Sequence, residues 1–311
     1  MKRLLLFCIA ALLLLSAFDT RKKAKLKLPE EFVYIPAGSY YTATAEEDPY
    51  YYGQSKTRQS MDSSKIVSIK GFYISKYEVS NLQYRQFYNE VSVGMTDDEK
   101  ERIMCDSLGW RMTLTYCEPM VEYYYHHPAY NGYPVSNISY EGALQYCAAL
   151  EKKIQKDNPD FVIEVKLPSR QQWVWAAMGG RSQAMYPWGN WYLRNGKGEF
   201  LCNYRRVNDN SIIRNKETGK PEVMSDDPGY AGGLNGSAFY TAAVKSFYPN
   251  DYGLYNMCGN VAEMITEENV CLGGSWNDYG GEVHIRSAAS YQGSQPTVGF
   301  RPMITATEKK K

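Results

Sequence analysis

Alternation of apolar and polar residues in the first half of the chain predicts short strands separated by turns. The apolar residues of Phe32–Ile35 predict a strand, and the turn-forming sequence at residues 36–39 ends it. A second alternating run covers residues 66–74, and a third strand is predicted at residues 162–165. Residues 42–64 are polar and rich in tyrosine, which is typical of a surface loop. The pattern therefore predicts a sheet built from short, dispersed strands.

Three serines mark predicted helix starts, because a serine side chain can cap the free N–H groups of a first helical turn. Ser80 precedes a helix predicted for residues 81–90, and Ser139 precedes a second helix. The apolar residues of the second helix have the spacing of one buried face: Ala143, Leu144, Cys147 and Leu150. Ser169 begins a third helix and forms a capping-box pattern with Gln172. The residues of this helix that are expected to face inward are Trp173, Ala176 and Ala177. Gly179 and Gly180 are expected to end the helix.

The remaining stretches have little regular periodicity. Residues 91–130 predict an insertion that contains one helix. After residue 182, turn-forming residues recur every few positions, which predicts short strands and long loops. No solenoid-type repeat and no linker divides the sequence. The sequence therefore predicts a single domain of the α+β class over residues 28–311.

The N-terminal segment has the features of an export signal. Lys2 and Arg3 precede an apolar run at residues 4–18, which is short for a membrane-spanning helix. Basic residues follow at once and are unfavourable for translocation, so residues 1–27 are predicted to be a signal peptide or an uncleaved N-terminal anchor. Cys8 resembles a lipidation site only weakly. The pattern favours export to the periplasm or the outer membrane, with this segment as the membrane contact.

Composition narrows the class of protein. A net charge of +1 provides no field that attracts nucleic acid, and 22% charged with 14% aromatic residues is typical of a globular protein. The 28 tyrosines suit hydrated binding surfaces, because the ring packs while the hydroxyl meets water.

Cysteine usage leaves two interpretations open. Six cysteines follow the N-terminal segment: Cys105, Cys117, Cys147, Cys202, Cys258 and Cys271. Their even number fits an oxidising compartment, and the spacing of Cys105 and Cys117 allows a local disulfide. The alternative is that most are small buried hydrophobic residues.

Several common catalytic motifs are missing from the sequence. There is no GxxxxGK or GxGxxG phosphate loop, and Ser139 and Ser275 lack the surroundings of an activated nucleophile. The three histidines are His126, His127 and His284. Adjacent histidines point apart on a strand and diverge on a helix, so a histidine-based metal site is disfavoured.

Nine motifs occur in one order along the chain: FVYIPAGSY, ISKYEVSNLQYRQF, PVSNISYEGALQYC, KLPSRQQWVWAAMGG, YPWGN, CNY, DYGLYNMCGNVAEM, GGSW and VGFR. In this order they resemble the formylglycine-generating-enzyme family of sulfatase-modifying factors, over residues 32–303. The resemblance implies an irregular, loop-rich α+β fold related to C-type lectins, which often holds calcium. That fold agrees with the loop-rich second half predicted above.

The resemblance implies two calcium sites made of the oxygen ligands that Ca²⁺ prefers. The first falls on four positions: Asn256, the carbonyls of Gly259 and Val261, and Glu263. The second uses Asn203 and the carbonyl of Tyr204. The later carboxylate of that second site falls near residues 235–236, where this chain has Asn and Gly. The alternative is that the polar side chains of the first run satisfy buried turn amides.

Copper is not expected. The family's oxidases bind Cu(I) through two cysteine thiolates after the GGS-aromatic motif, and soft thiolates are the ligands that Cu(I) selects. The two positions fall here on Asn277 or Asp278, and on Glu282 or Val283. Cys271 is single and precedes the motif. These residues argue against oxidation of a substrate cysteine to formylglycine.

The function favoured by these features is an exported, non-catalytic binding or structural protein of the cell envelope. The chain resembles the gliding-motility and type IX secretion lipoproteins of the family, whose partners are envelope proteins. A groove lined by Trp188, Trp276 and Tyr291 is expected to hold a peptide or a glycan. Two alternatives stay open: an enzyme that uses Asp278 and Glu282 as acid and base, and a genuine formylglycine-generating or related oxidase.

Overall fold

The computed structural model describes residues 25–42, 66–111, 117–181, 184–206, 211–217, 219, 221–223, 238 and 240–310. Most of the predicted N-terminal segment and of the loop predicted at residues 42–64 therefore lies outside the described residues. The helices are α1 (Asn81–Val91), α2 (Asp97–Ile103), α3 (Glu118–Tyr123), α4 (Tyr140–Asp157) and α5 (Arg170–Ala177), with 3-10 turns at Ser107–Trp110 and Pro128–Tyr130. The strands are β1 (Phe32–Ile35), β2 (Gly38–Tyr41), β3 (Ile66–Ile69), β4 (Phe72–Ser75), β5 (Phe161–Lys166), β6 (Ile212–Arg214), β7 (Pro221–Val223), β8 (Ala262–Met264), β9 (Val270–Leu272), β10 (Ala288–Ser290), β11 (Val298–Gly299) and β12 (Met303–Glu308).

Side-chain caps set the helix starts that the sequence predicts. The backbone N–H of Gln83 donates to Ser80 Oγ, and Gln83 Oε1 accepts from the N–H of Ser80 at 3.0 Å. Ser169 and Gln172 form the same reciprocal pair at the start of α5. Ser139 caps α4 by accepting from the N–H of Gly142 at 2.9 Å. The predicted starts of α1, α4 and α5 are thus confirmed, because they depend on bonds between residues close in sequence.

Two four-stranded sheets organise the chain. The central sheet has the order β1-β4-β12-β5 and is antiparallel. The second sheet has the order β10-β9-β8-β11, with β11 parallel to β8. The pairs β2–β3 and β6–β7 form separate two-stranded sheets. This mixture of helices and short strands confirms the predicted loop-rich α+β fold.

The central sheet separates two hydrophobic cores. Successive residues of β12 belong to different cores, because neighbouring side chains of a strand point to opposite faces. Ile304 packs with α1 and α4, where Tyr84, Tyr146 and Phe300 form the main aromatic contacts. Met303 packs on the other face, in the core that contains Trp173 of α5. Within the described residues, no helix is both long and apolar enough to cross a membrane.

Some predicted boundaries are wrong. The predicted turn at residues 36–39 includes the first residues of β2, and the predicted strand at residues 66–74 divides into β3 and β4, which belong to different sheets. Residues 70–71 separate these two strands, and the Tyr34 hydroxyl occupies the position that a Cβ atom of Gly71 would need. Leu144, predicted to face inward, is 43% exposed. The buried face of α4 includes Ala143 and Cys147, and Leu144 lies about 100° around the helix from Ala143.

The described part of the segment at residues 91–130, which excludes residues 112–116, contains two α-helices and not the single helix predicted. It buries Trp110, Met120 and Tyr124 in a cluster with Trp276. These residues come from several short turns and from distant parts of the chain. A search for the periodicity of one helical face does not detect such a cluster, because no single helix carries its apolar residues.

Candidate functional site

A buried ion pair lies where β8, β4 and the end of β11 meet. Arg301 and Glu263 are 0% and 1% exposed, and Arg301 Nη2 lies 2.6 Å from Glu263 Oε1. Arg301 Nε donates to both carboxylate oxygens, at 2.9 and 2.7 Å. Its remaining N–H groups donate to the carbonyls of Ser75, Lys76 and Tyr255. Every donor of the guanidinium is therefore used within the protein.

A second buried carboxylate stands next to this pair. Glu78 Oε1 accepts from Asn260 Nδ2 at 2.8 Å, and Glu78 Oε2 accepts from Asn256 Nδ2 at 3.1 Å. Burial raises the pKa of Glu78 to about 7, and the nearby Arg301 opposes that rise. Asn256 and Asn260 have φ angles of 51° and 64°, in the left-handed region. In this backbone conformation both side-chain amides donate to Glu78.

Calcium does not fit the first predicted site, which was assigned to Asn256, Gly259, Val261 and Glu263. Both carboxylate oxygens of Glu263 already accept N–H groups, from Arg301 and, at 2.7 Å, from Trp173 Nε1. Calcium would have to share its one carboxylate with a buried guanidinium cation, and like charges in a low-dielectric interior repel strongly. The run instead supports the alternative that its polar side chains satisfy one another.

The second predicted calcium position fits better. Asn203 is 1% exposed, and its Nδ2 donates to the carbonyl of Tyr240 at 2.7 Å. Its Oδ1 is buried and has no hydrogen-bond partner among the residues that the structure describes. An unpaired buried amide oxygen is costly and is also a ligand type that Ca²⁺ accepts, together with carbonyls such as that of Tyr204. Residues 235–236, where the family's carboxylate would fall, lie outside the described residues. Calcium at Asn203 stays a prediction.

The positions of the family's copper ligands form a tight local turn. Asp278 Oδ2 accepts from Ser275 N at 2.7 Å and from Ser275 Oγ at 2.6 Å. Glu282 is exposed, and its Oε2 accepts from Tyr279 N at 3.0 Å. Each carboxylate thus accepts hydrogen bonds from groups within its own turn. Asn277 and Val283, the other two candidate positions, also lack a thiol, so this segment does not fit Cu(I).

The three aromatic residues of the predicted groove do not come together. Trp276 is 7% exposed and packs on Trp110 at a centroid distance of 6.1 Å. Trp188 stacks on Tyr186 at 5.0 Å, in a different cluster. Tyr291 is 4% exposed and belongs to the main core. The predicted groove is therefore wrong, because aromatic residues in loops of this fold fill separate cores.

The local disulfide that the spacing of Cys105 and Cys117 allows is not formed. All six described cysteines are free and buried. Cys105 Sγ donates to the carbonyl of Ser136 at 3.2 Å, whereas Cys117 Sγ lies 3.1 Å from the hydroxyl of Tyr240. Burial raises the pKa of Cys271 to about 12, which keeps its thiol protonated. The alternative, that these cysteines are small core residues, is confirmed.

The histidines do not form a metal site within the described residues. No group of three or more His, Cys, Asp and Glu side chains there has a metal-binding arrangement. His126 and His127 are exposed, and His127 Nδ1 accepts from the N–H of Ala129 at 3.2 Å. Sequence reasoning missed Glu78, which lies two residues before the helix cap Ser80, because no local pattern marks this acid as buried.

Comparison with known proteins identifies the fold and the sequence family. The model of the sulfatase-modifying factor enzyme 1-like domain matches residues 17–306. The mouse (Mus musculus) formylglycine-generating enzyme is 25% identical over 257 residues, which cover 76% of this chain and 58% of the enzyme. The bovine (Bos taurus) inactive C-alpha-formylglycine-generating enzyme 2 is 25% identical over 312 residues, and the match covers 86% of each chain.

A solved structure gives the same fold. PvdO from Pseudomonas aeruginosa superposes with a TM-score of 0.54 and 18% identity, over 88% of this chain and 93% of PvdO. At that identity the likeness concerns the fold alone. The chain also spans little more than half of the mouse enzyme, so the activity of that whole enzyme is not transferred to it.

Proposed function

Because this chain belongs to the sulfatase-modifying factor enzyme 1-like family, we propose that it is a non-catalytic binding or structural protein of the cell envelope. The observation that carries the proposal is the turn at Ser275–Asp278. Asn277 or Asp278 stands where the family's oxidases place a thiolate, and Asp278 Oδ2 closes the turn with Ser275. Asp278 therefore stabilises this turn.

Two further features support a role in the envelope. The chain begins with a basic and apolar segment of export type. Its motifs resemble those of gliding-motility and type IX secretion components, which we propose as its functional class. An inactive relative in cattle supports the view that this fold also serves without the oxidase reaction.

Co-purification from native membranes tests the envelope role. The full chain, extracted in mild detergent, is expected to elute as a complex with a fixed set of envelope proteins. A variant that lacks residues 1–24 serves as the control and is expected to leave the membrane fraction. Recovery of the full chain as a free soluble monomer would contradict the proposal.

An activity assay tests the loss of catalysis separately. The full chain is incubated with Cu(I), oxygen and a peptide that carries a sulfatase motif. A family member with both thiolates is the positive control and converts the peptide, whereas this chain is expected to leave it unchanged. Formation of formylglycine by this chain would overturn the non-catalytic assignment.

A further inference from the structure

A surface cavity is lined in part by Ser75, whose carbonyl accepts from Arg301 of the buried ion pair. Its volume is about 300 Å³. Four segments line it, and the residues that matter below are Glu31, Tyr77, Leu82, Val244 and Lys245. This volume is at the lower end of the range for small-molecule sites, so a ligand of one or two amino-acid residues is the largest that fits.

Hydrogen bonds to the buried residues Arg301 and Asn256 hold two walls of this cavity in place. The carbonyls of Ser75 and Lys76 accept from Arg301 at 3.0 Å each. The carbonyl of Val244 accepts from Asn256 Nδ2 at 3.2 Å, and its N–H donates to Gly132 O at 2.8 Å. The buried charge cluster therefore fixes two walls at once. A preformed cavity loses little conformational entropy when a ligand binds.

Most polar groups that line the cavity already have partners. Ser80 and Gln83 bond to each other in the cap of α1. Asn131 Oδ1 accepts from Arg85, and Ser75 Oγ donates to Tyr77 O at 2.7 Å. These groups are satisfied by the fold, so they do not define what the cavity would bind.

Three functional groups remain available. Within the described residues, the Glu31 carboxylate, the Tyr77 hydroxyl and the Lys245 ammonium form no ion pair or side-chain hydrogen bond. Lys245 Nζ lies 5.1 Å from the centroid of the Tyr77 ring, and that ring packs against Tyr255 at 5.1 Å. The cation is thus positioned over an aromatic face and keeps its N–H donors for another group.

We propose that this cavity binds a small zwitterion, of amino-acid or dipeptide size, through one acid and one base. Lys245 bonds the carboxylate of the ligand, Glu31 bonds its ammonium group, and an apolar side chain packs on Leu82 and Val244. A charge-assisted hydrogen bond is stronger than a neutral one, so both ends contribute to recognition. The proposal goes beyond the envelope role and does not depend on it.

Calorimetric titration of the full chain with the dipeptide Ala-Leu tests the site. Amidation of its carboxyl terminus or acetylation of its amino terminus is expected to weaken binding about tenfold or more, because one charged contact is lost in each case. Lys245→Met is expected to weaken binding of the free dipeptide and to abolish the difference between the acid and the amide. Glu31→Gln is expected to abolish the difference between the free and the acetylated amine.

Lys197→Met removes an exposed lysine outside the cavity and is expected to bind like the wild type. Thermal unfolding checks that all variants are folded. Equal binding of the free and the doubly blocked dipeptide, or unchanged binding by both cavity variants, would overturn the proposal. So would the absence of any heat of binding from the wild-type chain.

Discussion

Residues 256–263 and residues 275–283 are close in sequence and match the same family pattern, but their acidic side chains differ in where their hydrogen-bond partners come from. The first run bonds to residues far away in the chain: Glu78, Trp173 and Arg301. In the second run the carboxylates bond within their own turns, Asp278 to Ser275 and Glu282 to Tyr279, while the backbone of the run bonds to Arg205 and Asn260. Residues that many distant partners fix are difficult to replace, whereas a local turn can change its chemistry without disturbing the fold.

This difference has an energetic basis. A buried charge without its partner is far less stable than the pair, since neither water nor another group solvates it. Asp278 is half-buried and Glu282 is exposed, so water replaces part of the hydrogen bonds that are lost when either carboxylate is changed. Asp278 and Glu282 can therefore be changed at a lower cost in stability than Glu263 or Arg301.

Among the substitutions that test this comparison, Arg301→Ala is expected to lower the free energy of unfolding most. It leaves Glu263 buried and unpaired, which costs about 3–5 kcal/mol of unfolding free energy. Urea denaturation measures the effect. Arg181→Ala removes an arginine from an exposed pair with Asp251 and is the matched control, for which little change is expected. Similar losses in the two variants would show that burial of the pair does not matter.

Glu78 is expected to give the protein an unusual pH dependence. Its pKa is raised from 4.5 to about 7 in the folded state, so the folded protein binds the proton more tightly than the unfolded chain. The resulting stabilisation is fully present below pH 4.5 and is lost as the pH rises through about 7. Across that window the change is on the order of 3 kcal/mol.

Denaturation at several pH values compares the wild type with Glu78→Gln, in which this decrease is expected to disappear. Glu267 gives the opposite sign, because Arg170 lowers its pKa and the stabilisation is lost as the pH falls. Glu267→Gln should therefore leave the decrease between pH 4.5 and about 7 in place. A wild-type stability that does not fall in that range would contradict the role assigned to Glu78.

Asp278→Ala is expected to have the smallest effect of the three. It removes the acceptor for Ser275 N and Ser275 Oγ and costs about 1 kcal/mol. Glu282→Ala is the control on the exposed side of the same segment and should not change stability measurably. Denaturation by urea distinguishes the two. A loss from Asp278→Ala as large as that from Arg301→Ala would mean that the turn is not local.

Sequence reasoning succeeded where a signal lies within a few residues. The caps at Ser80, Ser139 and Ser169 each depend on a residue three positions away. The resemblance also led to the right family and fold. Clusters assembled from distant residues were not predicted. The three aromatic residues assigned to one groove lie in three clusters, because their distance in space depends on packing that no local pattern encodes.

The candidate site shows the same limit. Transfer from the family placed Glu263 in a calcium site, whereas the side chain that pairs with it, Arg301, lies 38 residues further along the chain. Glu78 is more distant still, and its role depends on two asparagines with positive φ angles. The sequence therefore located possible metal ligands more easily than the distant side chains, such as Arg301, that determine whether those ligands can bind a metal.

The position of β12 sets the order in which the chain can fold. Residues 303–308 pair with β5 along their whole length and with β4 at Met303 and Ile304, so this strand joins the two halves of the central sheet. A ribosome-bound chain cannot close that sheet until these residues emerge, and the edges of β4 and β5 stay unpaired until then. The central sheet therefore closes only when β12 is available to both of its neighbours, so two segments that are far apart in sequence depend on one late strand.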